Sequence, residues 1–165
     1  MKTLILVRHA DASEGGTDKY RSLSANGMID AARLGKHLAP QLTGIDTLIA
    51  SSAERTQMTA QVLSEQIGFD FDKLQLVEEL YEGSPRHYIG VINTLPETAQ
   101  KVMIVGHNPS ITYLAEYLTH EELGNLPPCS IVSMHFENIT WAEVTGRLGK
   151  LDFYDSPNKT LGLSF

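Results

Sequence analysis

Apolar residues in this chain fall in short, nearly unbroken runs. Between the runs they recur every three or four positions. Four runs read as buried strands: Thr3-Leu4-Ile5-Leu6-Val7, Thr47-Leu48-Ile49-Ala50, Leu74-Gln75-Leu76-Val77 and Val102-Met103-Ile104-Val105. Runs of this length without a polar face suit strands covered on both sides. A polar, glycine-containing loop follows the first run over about 11–24. A helix is then predicted over about 26–39, with Met28, Ala31, Ala32, Leu34 and Leu38 at helical spacing and Pro40 closing it. The second run leads into a helix that Ser52 is placed to cap. Ala60, Leu63 and Ile67 give it one apolar face, and Gly68 stops it.

Ser84-Pro85 is a capping hydroxyl followed by a first-turn proline, and it predicts a helix to about residue 94. Asn108-Pro109 repeats the signal and opens a helix to about residue 118. The stretch 123–128 reads as a loop. Beyond it the pattern changes to alternation. Residues 130–136 and 140–144 predict an antiparallel hairpin turning at Glu137-Asn138. The tail from Leu148 either adds a strand or lies on the surface. Strands alternating with helices imply right-handed crossovers. The expected fold is a three-layer α/β/α sandwich, a mostly parallel sheet with an antiparallel edge, formed by one domain over 1–165.

The totals narrow the choices. At 165 residues and 42% hydrophobic, the chain can bury one substantial core. A net charge of −7 disfavours nucleic acid as a partner. It also means that a phosphorylated substrate must be attracted by the site itself. Cys129 is the only cysteine, so no intrachain disulfide framework exists and a reducing cytoplasm is expected. At the mouth of the apolar Ile131-Val132 it reads as a small buried hydrophobe rather than a nucleophile. The apolar stretch before Arg8 is shorter than the roughly 7–15 residues of a signal-peptide core. No run approaches the ~20 residues of a membrane span. Without secretion, the glycosylation-like Asn138-Ile139-Thr140 and Asn158-Lys159-Thr160 carry no meaning.

Candidate chemistry follows from what comes after each strand. Arg8-His9 follow the first, Ser51 to Arg55 the second, Glu78-Glu79 the third, and Gly106-His107-Asn108-Pro109 the fourth. Ligands of open α/β sheets bind outside the carboxyl ends of the strands. Two Arg, two His and one or two Glu therefore converge on that edge. The set suits a phosphoryl group, with guanidinium forks for the oxygens, an imidazole to attack and a carboxyl to carry a proton. Gly106 would let the backbone approach a ligand, and the helix after it would aim its amino end at an anion. A metal site built on His9 and His107 is the weaker reading, because Arg8 repels a cation and no third ligand has recognisable spacing. No serine-hydrolase elbow or P-loop is present. His37, His87, His120 and His135 read as peripheral.

Leu6-Val7-Arg8-His9-Ala10 resembles the Arg-His-Gly signature of the histidine phosphatase superfamily, with the phosphoglycerate-mutase-like fold. Ser51-Ser52-Ala53-Glu54-Arg55 with Thr59-Ala60 resembles that family's Ser-Pro-x-x-Arg-x-x-x-Thr-Ala block. Val105-Gly106-His107-Asn108-Pro109 is similar to its second histidine motif. Asp18-x-x-Arg21-x-Leu23-x-x-x-Gly27 is similar to a pattern of the short, SixA-like phosphohistidine phosphatases. Ala10 and Ser52 depart from the commonest family residues, glycine and proline.

The resemblance implies that His9 attacks phosphorus as a neutral imidazole and that water cleaves the phosphohistidine formed. It places Arg8, Arg55, His107 and Asn108 around the phosphoryl oxygens, with Arg21 and Ser51 as secondary candidates. A protonated His107 would give the group three cations. Glu79 is the better positional match for the proton donor and Glu82 the alternative. No metal or organic cofactor is implied. No insertion is long enough for a deep lid, so an open site is expected. That suits phosphohistidine on a signalling protein. A broad phosphatase of small phosphate esters and a noncatalytic phosphate-binding module are the alternatives. The expected state is a monomer or weak dimer.

Overall fold

A computed structural model describes residues 1–160; the last five positions of the expected domain lie outside the described residues. The six strands are β1 (Lys2–Arg8), β2 (Thr47–Ser51), β3 (Gln75–Val77), β4 (Lys101–Gly106), β5 (Ile131–Phe136) and β6 (Lys150–Asp155). They form one sheet in the order β3-β2-β4-β1-β5-β6. The pairs β3–β2, β2–β4 and β4–β1 are parallel, whereas β1–β5 and β5–β6 are antiparallel. The helices are α1 (Ala25–Leu42), α2 (Glu54–Ile67), α3 (Pro85–Asn93), α4 (Ser110–Thr119) and the short α5 (Pro157–Thr160).

The sheet divides the core in two. Side chains on successive strand residues point to opposite faces. Leu4, Leu6, Val102 and Ile104 therefore pack with residues of α3 and α4, and Ile5, Val7, Met103 and Val105 with residues of α1 and α2. Each fully buried Leu or Ile contributes about 1.5–3 kcal/mol. The layers are α1/α2, sheet, and α3/α4, as the apolar runs predict.

Several local expectations are corrected. The 140–144 segment is not a strand. Trp141–Glu143 is a 3-10 turn in which Thr140 and Glu143 cap each other. Trp141 and Val144 are both buried, and a spacing of three matches one such turn. The indole N–H donates to the Ala99 carbonyl at 2.8 Å. The tail supplies β6 instead, paired with β5. β3 is an exposed edge of three residues rather than a buried strand. α1 continues through Pro40 to Leu42, whose full burial favours the extra turn. α2 starts after Ala53, not Ser52. There the Ser51 hydroxyl accepts the Ala53 N–H, and the Thr56 hydroxyl donates to the Ser51 or Ala53 carbonyl. Pro109, not Asn108, is the residue preceding α4.

Candidate active site

The carboxyl ends of β1, β4 and β2 lie side by side. They open into a cavity of about 510 Å³ lined by Arg8, His9, Arg21, Arg55, Glu82 and His107, among others. Arg8 closes β1, and His9 follows it. The His9 N–H donates to the Gly106 carbonyl at 3.0 Å, which ties the two strand ends together. The Cys129 N–H donates to the Arg8 and His9 carbonyls, so the start of β5 fixes the same corner. Cys129 itself is buried, and burial pushes its thiol up to about 12. It is a packed apolar residue there.

His9 Nδ1 lies 2.7 Å from the Ala10 carbonyl oxygen. A carbonyl only accepts, so Nδ1 carries the proton and Nε2 keeps its lone pair. Burial lowers the His9 pKa to about 4, and Arg55, Arg8 and Arg21 push in the same direction against the Ala10 carbonyl. The ring is neutral at pH 7. The ring centroids of His9 and His107 are 5.3 Å apart. Burial, His9 and Arg55 lower His107 to about 3. His107 is therefore neutral too, and the resting cavity holds two neutral imidazoles beside guanidiniums rather than a third cation.

Arg55, only 6% exposed, sits in the first turn of α2. Its Nη1 donates to the Asp18 carbonyl at 2.8 Å, and its Nη2 lies 3.3 Å from Asp18 Oδ2. Arg8 Nη1 donates to the Leu126 carbonyl at 2.7 Å. The Nε atoms of both arginines are buried without a hydrogen-bond partner. Each guanidinium thus keeps one N–H unpaired within the protein, while both residues line the cavity as cations. Arg21 joins from the loop, with Nε on Asp18 Oδ1 at 3.1 Å and Nη1 on the Ser13 carbonyl.

The remaining expected residues separate. Glu82 lines the cavity with Tyr81 and Gly83. The Ser110 hydroxyl donates to the Gly83 carbonyl at 2.6 Å and anchors this segment to α4. Glu79 faces a different groove, beside β3 and α3. Glu78 receives Lys19 Nζ at 2.8 Å. Asn108 lines the cavity, but its side chain is committed elsewhere. Oδ1 accepts from the Thr112 N–H and hydroxyl, and Nδ2 reaches Asn125 Oδ1 and the Leu126 carbonyl. It braces the loop over 125–126 against α4 instead of offering a free amide. Ser51 lies 2.6 Å from His107 Nε2.

Tyr88 and Tyr81 escape sequence reasoning, and the roles of Thr59 and Asp18 emerge only here. Tyr88 is fully buried in α3, and its hydroxyl accepts the His107 N–H at 3.1 Å. A Cβ on Gly106 would collide with that phenol, so this glycine makes room for Tyr88 rather than for a ligand. The Thr59 hydroxyl accepts the Ala10 N–H at 3.0 Å and links α2 to β1. Asp18 and Tyr81 meet over Arg55. No local pattern marks Tyr88 or Tyr81, whereas Thr59 and Asp18 were signalled by their places in the quoted motifs. Gly27 is explained by the same loop, because a Cβ there would run into the Asp11 carbonyl. Among the described residues, no cluster of three His, Cys, Asp or Glu could hold a metal, and no helix is long and apolar enough to cross a membrane.

Known proteins resemble this chain at both levels. The mitochondrial serine/threonine-protein phosphatase Pgam5 of Drosophila mojavensis is 35% identical over 83 residues, covering 50% of this chain and 29% of that protein. The chain thus spans under a third of that curated relative's length. A SixA-type protein from Nakamurella multipartitia superposes with a TM-score of 0.81 at 23% identity, covering 94% of this chain and 96% of the other. The protein histidine phosphatase SixA bound to tungstate superposes with a TM-score of 0.81 at 20% identity, covering 94% and 97%. At such identities the two superpositions establish a shared fold. Residues 4–88, which carry Arg8, His9, Arg55 and Glu82, match the model of the histidine phosphatase superfamily (branch 1), and the chain belongs to that superfamily.

Proposed function

We propose that this chain is a phosphatase that uses His9 as its nucleophile and removes the phosphoryl group from phosphohistidine on a protein. The carrying observation is the His9 ring: its proton is fixed on Nδ1 by the Ala10 carbonyl, and its neutral Nε2 is left free in a cavity also lined by the Arg8 and Arg55 guanidiniums. An attacking imidazole needs a free lone pair, and developing phosphoryl charge needs preorganised donors.

His9 Nε2 attacks phosphorus in line. A P–N bond forms to His9, and the P–N bond to the substrate imidazole breaks. Arg8, Arg55 and His107 bind the nonbridging oxygens. Glu82, which lines the cavity, is the carboxyl assigned here to protonate the departing nitrogen. Water then attacks the phosphorylated His9, gives a proton to Glu82, and inorganic phosphate leaves with His9 restored. The acidic side chains around the mouth, Asp11, Glu14, Asp18 and Glu82, favour a leaving group that departs protonated over one that carries extra negative charge. The walls are the loop segments over 9–24, 81–83 and 107–109 with Pro128, and among the described residues no further domain covers them, which leaves the cavity reachable by a protein surface.

A matched turnover assay tests the reading. A phosphohistidine-bearing domain and a panel of small phosphate esters are each given to the wild type and to His9→Ala. Faster loss of phosphate from the protein, absent in the variant, is expected. Faster turnover of an ester would move the chain to the small-molecule phosphatases. Normal turnover by His9→Ala would remove His9 as the nucleophile.

A further inference from the structure

Ser51 is fully buried at the end of β2, with its hydroxyl 2.6 Å from His107 Nε2 and 3.0 Å from the Thr56 hydroxyl. The direction of these bonds follows from counting protons. The Thr56 hydroxyl lies 2.8 Å from the Ser51 carbonyl and 2.7 Å from the Ala53 carbonyl. Carbonyls only accept, so the single Thr56 proton is used there. The Ala53 N–H already donates to Ser51 Oγ at 3.3 Å. The one Ser51 proton therefore goes to Thr56 Oγ1 or to His107 Nε2. The histidine contact is much the shorter. At 2.6 Å it fits a hydroxyl donor better than a ring N–H donor, whose bonds centre near 2.9–3.0 Å.

We propose that Ser51 is a positioning residue: it donates to His107 Nε2 and so holds the resting imidazole as the Nδ1–H tautomer. A neutral imidazole has one ring proton. With Nε2 accepting, that proton must sit on Nδ1, the nitrogen with no partner among the described residues, on a ring that lines the cavity. The site then offers a phosphoryl oxygen an N–H. The other tautomer would offer it a lone pair, which repels an anion. His9 and His107 are thus set as a pair, each with Nδ1 protonated. The Ala10 carbonyl sets one to attack, and Ser51 sets the other to donate. The function of this arrangement rests on the phosphoryl-binding role proposed for His107; the tautomer itself does not.

Nitrogen-15 NMR of the imidazoles in the unliganded protein at pH 7 decides the point without turnover. The expected wild-type result is a pyrrole-like Nδ1 and a pyridine-like Nε2 for His107. In Ser51→Ala, the ring is expected to shift to a mixture or to Nε2–H, and kcat to fall by on the order of tenfold or more. A wild-type ring protonated on Nε2 overturns the proposal, whether or not the variant folds. An Nδ1–H tautomer that persists unchanged in Ser51→Ala also overturns it. A protein with the expected tautomer but no phosphatase turnover would sink the functional reading and leave this one standing.

Discussion

The Tyr81 phenol donates to Asp18 Oδ2 across 2.6 Å, the same oxygen that Arg55 Nη2 reaches at 3.3 Å. One carboxylate thereby gathers Tyr81, Arg55 and Arg21. The Tyr81 hydrogen bond and the two arginines hold the Asp18 carboxyl below its ordinary pKa, so it stays ionised. An exposed, ionised carboxylate is a clamp and not a proton donor.

Asp18→Asn is therefore expected to lower kcat/KM by about tenfold, equivalent to about 1.4 kcal/mol of transition-state stabilisation. Stability should barely change, since exposed ion pairs contribute about 0–1 kcal/mol. Steady-state kinetics with a parallel thermal melt would check both. A rise in kcat/KM would mean that the carboxylate competes with the phosphoryl group for Arg55.

The two site histidines make a pH prediction for the fold itself. His9 lies at about 4 and His107 at about 3, against about 6.5 in the unfolded chain. Above pH 7 neither ring is charged in either state, so they contribute nothing. As pH falls below 6.5 the unfolded chain gains protons that the fold refuses. Stability is expected to fall by up to about 1.4 kcal/mol per pH unit per histidine until the folded values are reached. Urea unfolding at pH 7.5 and 5 would measure the loss. A His9→Gln/His107→Gln variant should lose less over that interval, and an equal loss would refute the two depressed values.

Glu82 and Glu79 can be told apart directly. Glu82 lines the cavity, and Glu79 faces the groove beside α3. Glu82→Gln should lower kcat for a leaving group that needs a proton by roughly 10²-fold, with little effect on an ester whose leaving group departs easily. Glu79→Gln should leave both rates near wild type. The reverse ranking would return the acid's role to Glu79.

Tyr88, fully buried in α3, accepts the backbone N–H of His107. Tyr88→Phe keeps the packing and removes the hydroxyl, leaving the His107 N–H without that partner. The expected cost is about 1–3 kcal/mol of stability with a fall in kcat. Gly106→Ala should be worse, because its methyl would need the space of the Tyr88 phenol. Denaturant melts of the two variants would show whether the order holds.

Much of this was legible in the chain. Leu4 to Val7 and Val102 to Val105 specify central strands because nothing polar interrupts them, and burial on both faces tolerates nothing else. Arg8-His9 and His107 follow those strands directly, so their arrival at one edge needed only parallel pairing. Arg55 was visible from its place after the second run and within the family-like block. The hairpin over 130–144 was misread because Trp141 and Val144 fit alternation loosely and a three-residue turn closely. The pairing of β5 with β6 joins segments on either side of that turn, and local periodicity does not report such a partner.

The sequence by itself determined the five strands β1 to β5, which charged groups follow them, and the resemblance to the family. Those are local properties: an apolar run, a residue one step past it, a spacing within one turn. Only the tertiary structure decided which nitrogen of each histidine is free, that both rings are neutral, that Glu82 and not Glu79 lines the cavity, and that the Asn108 amide is already spent. Each of these depends on burial or on a hydrogen-bond partner brought in from another element. Desolvation and bond geometry exist only once those elements have packed.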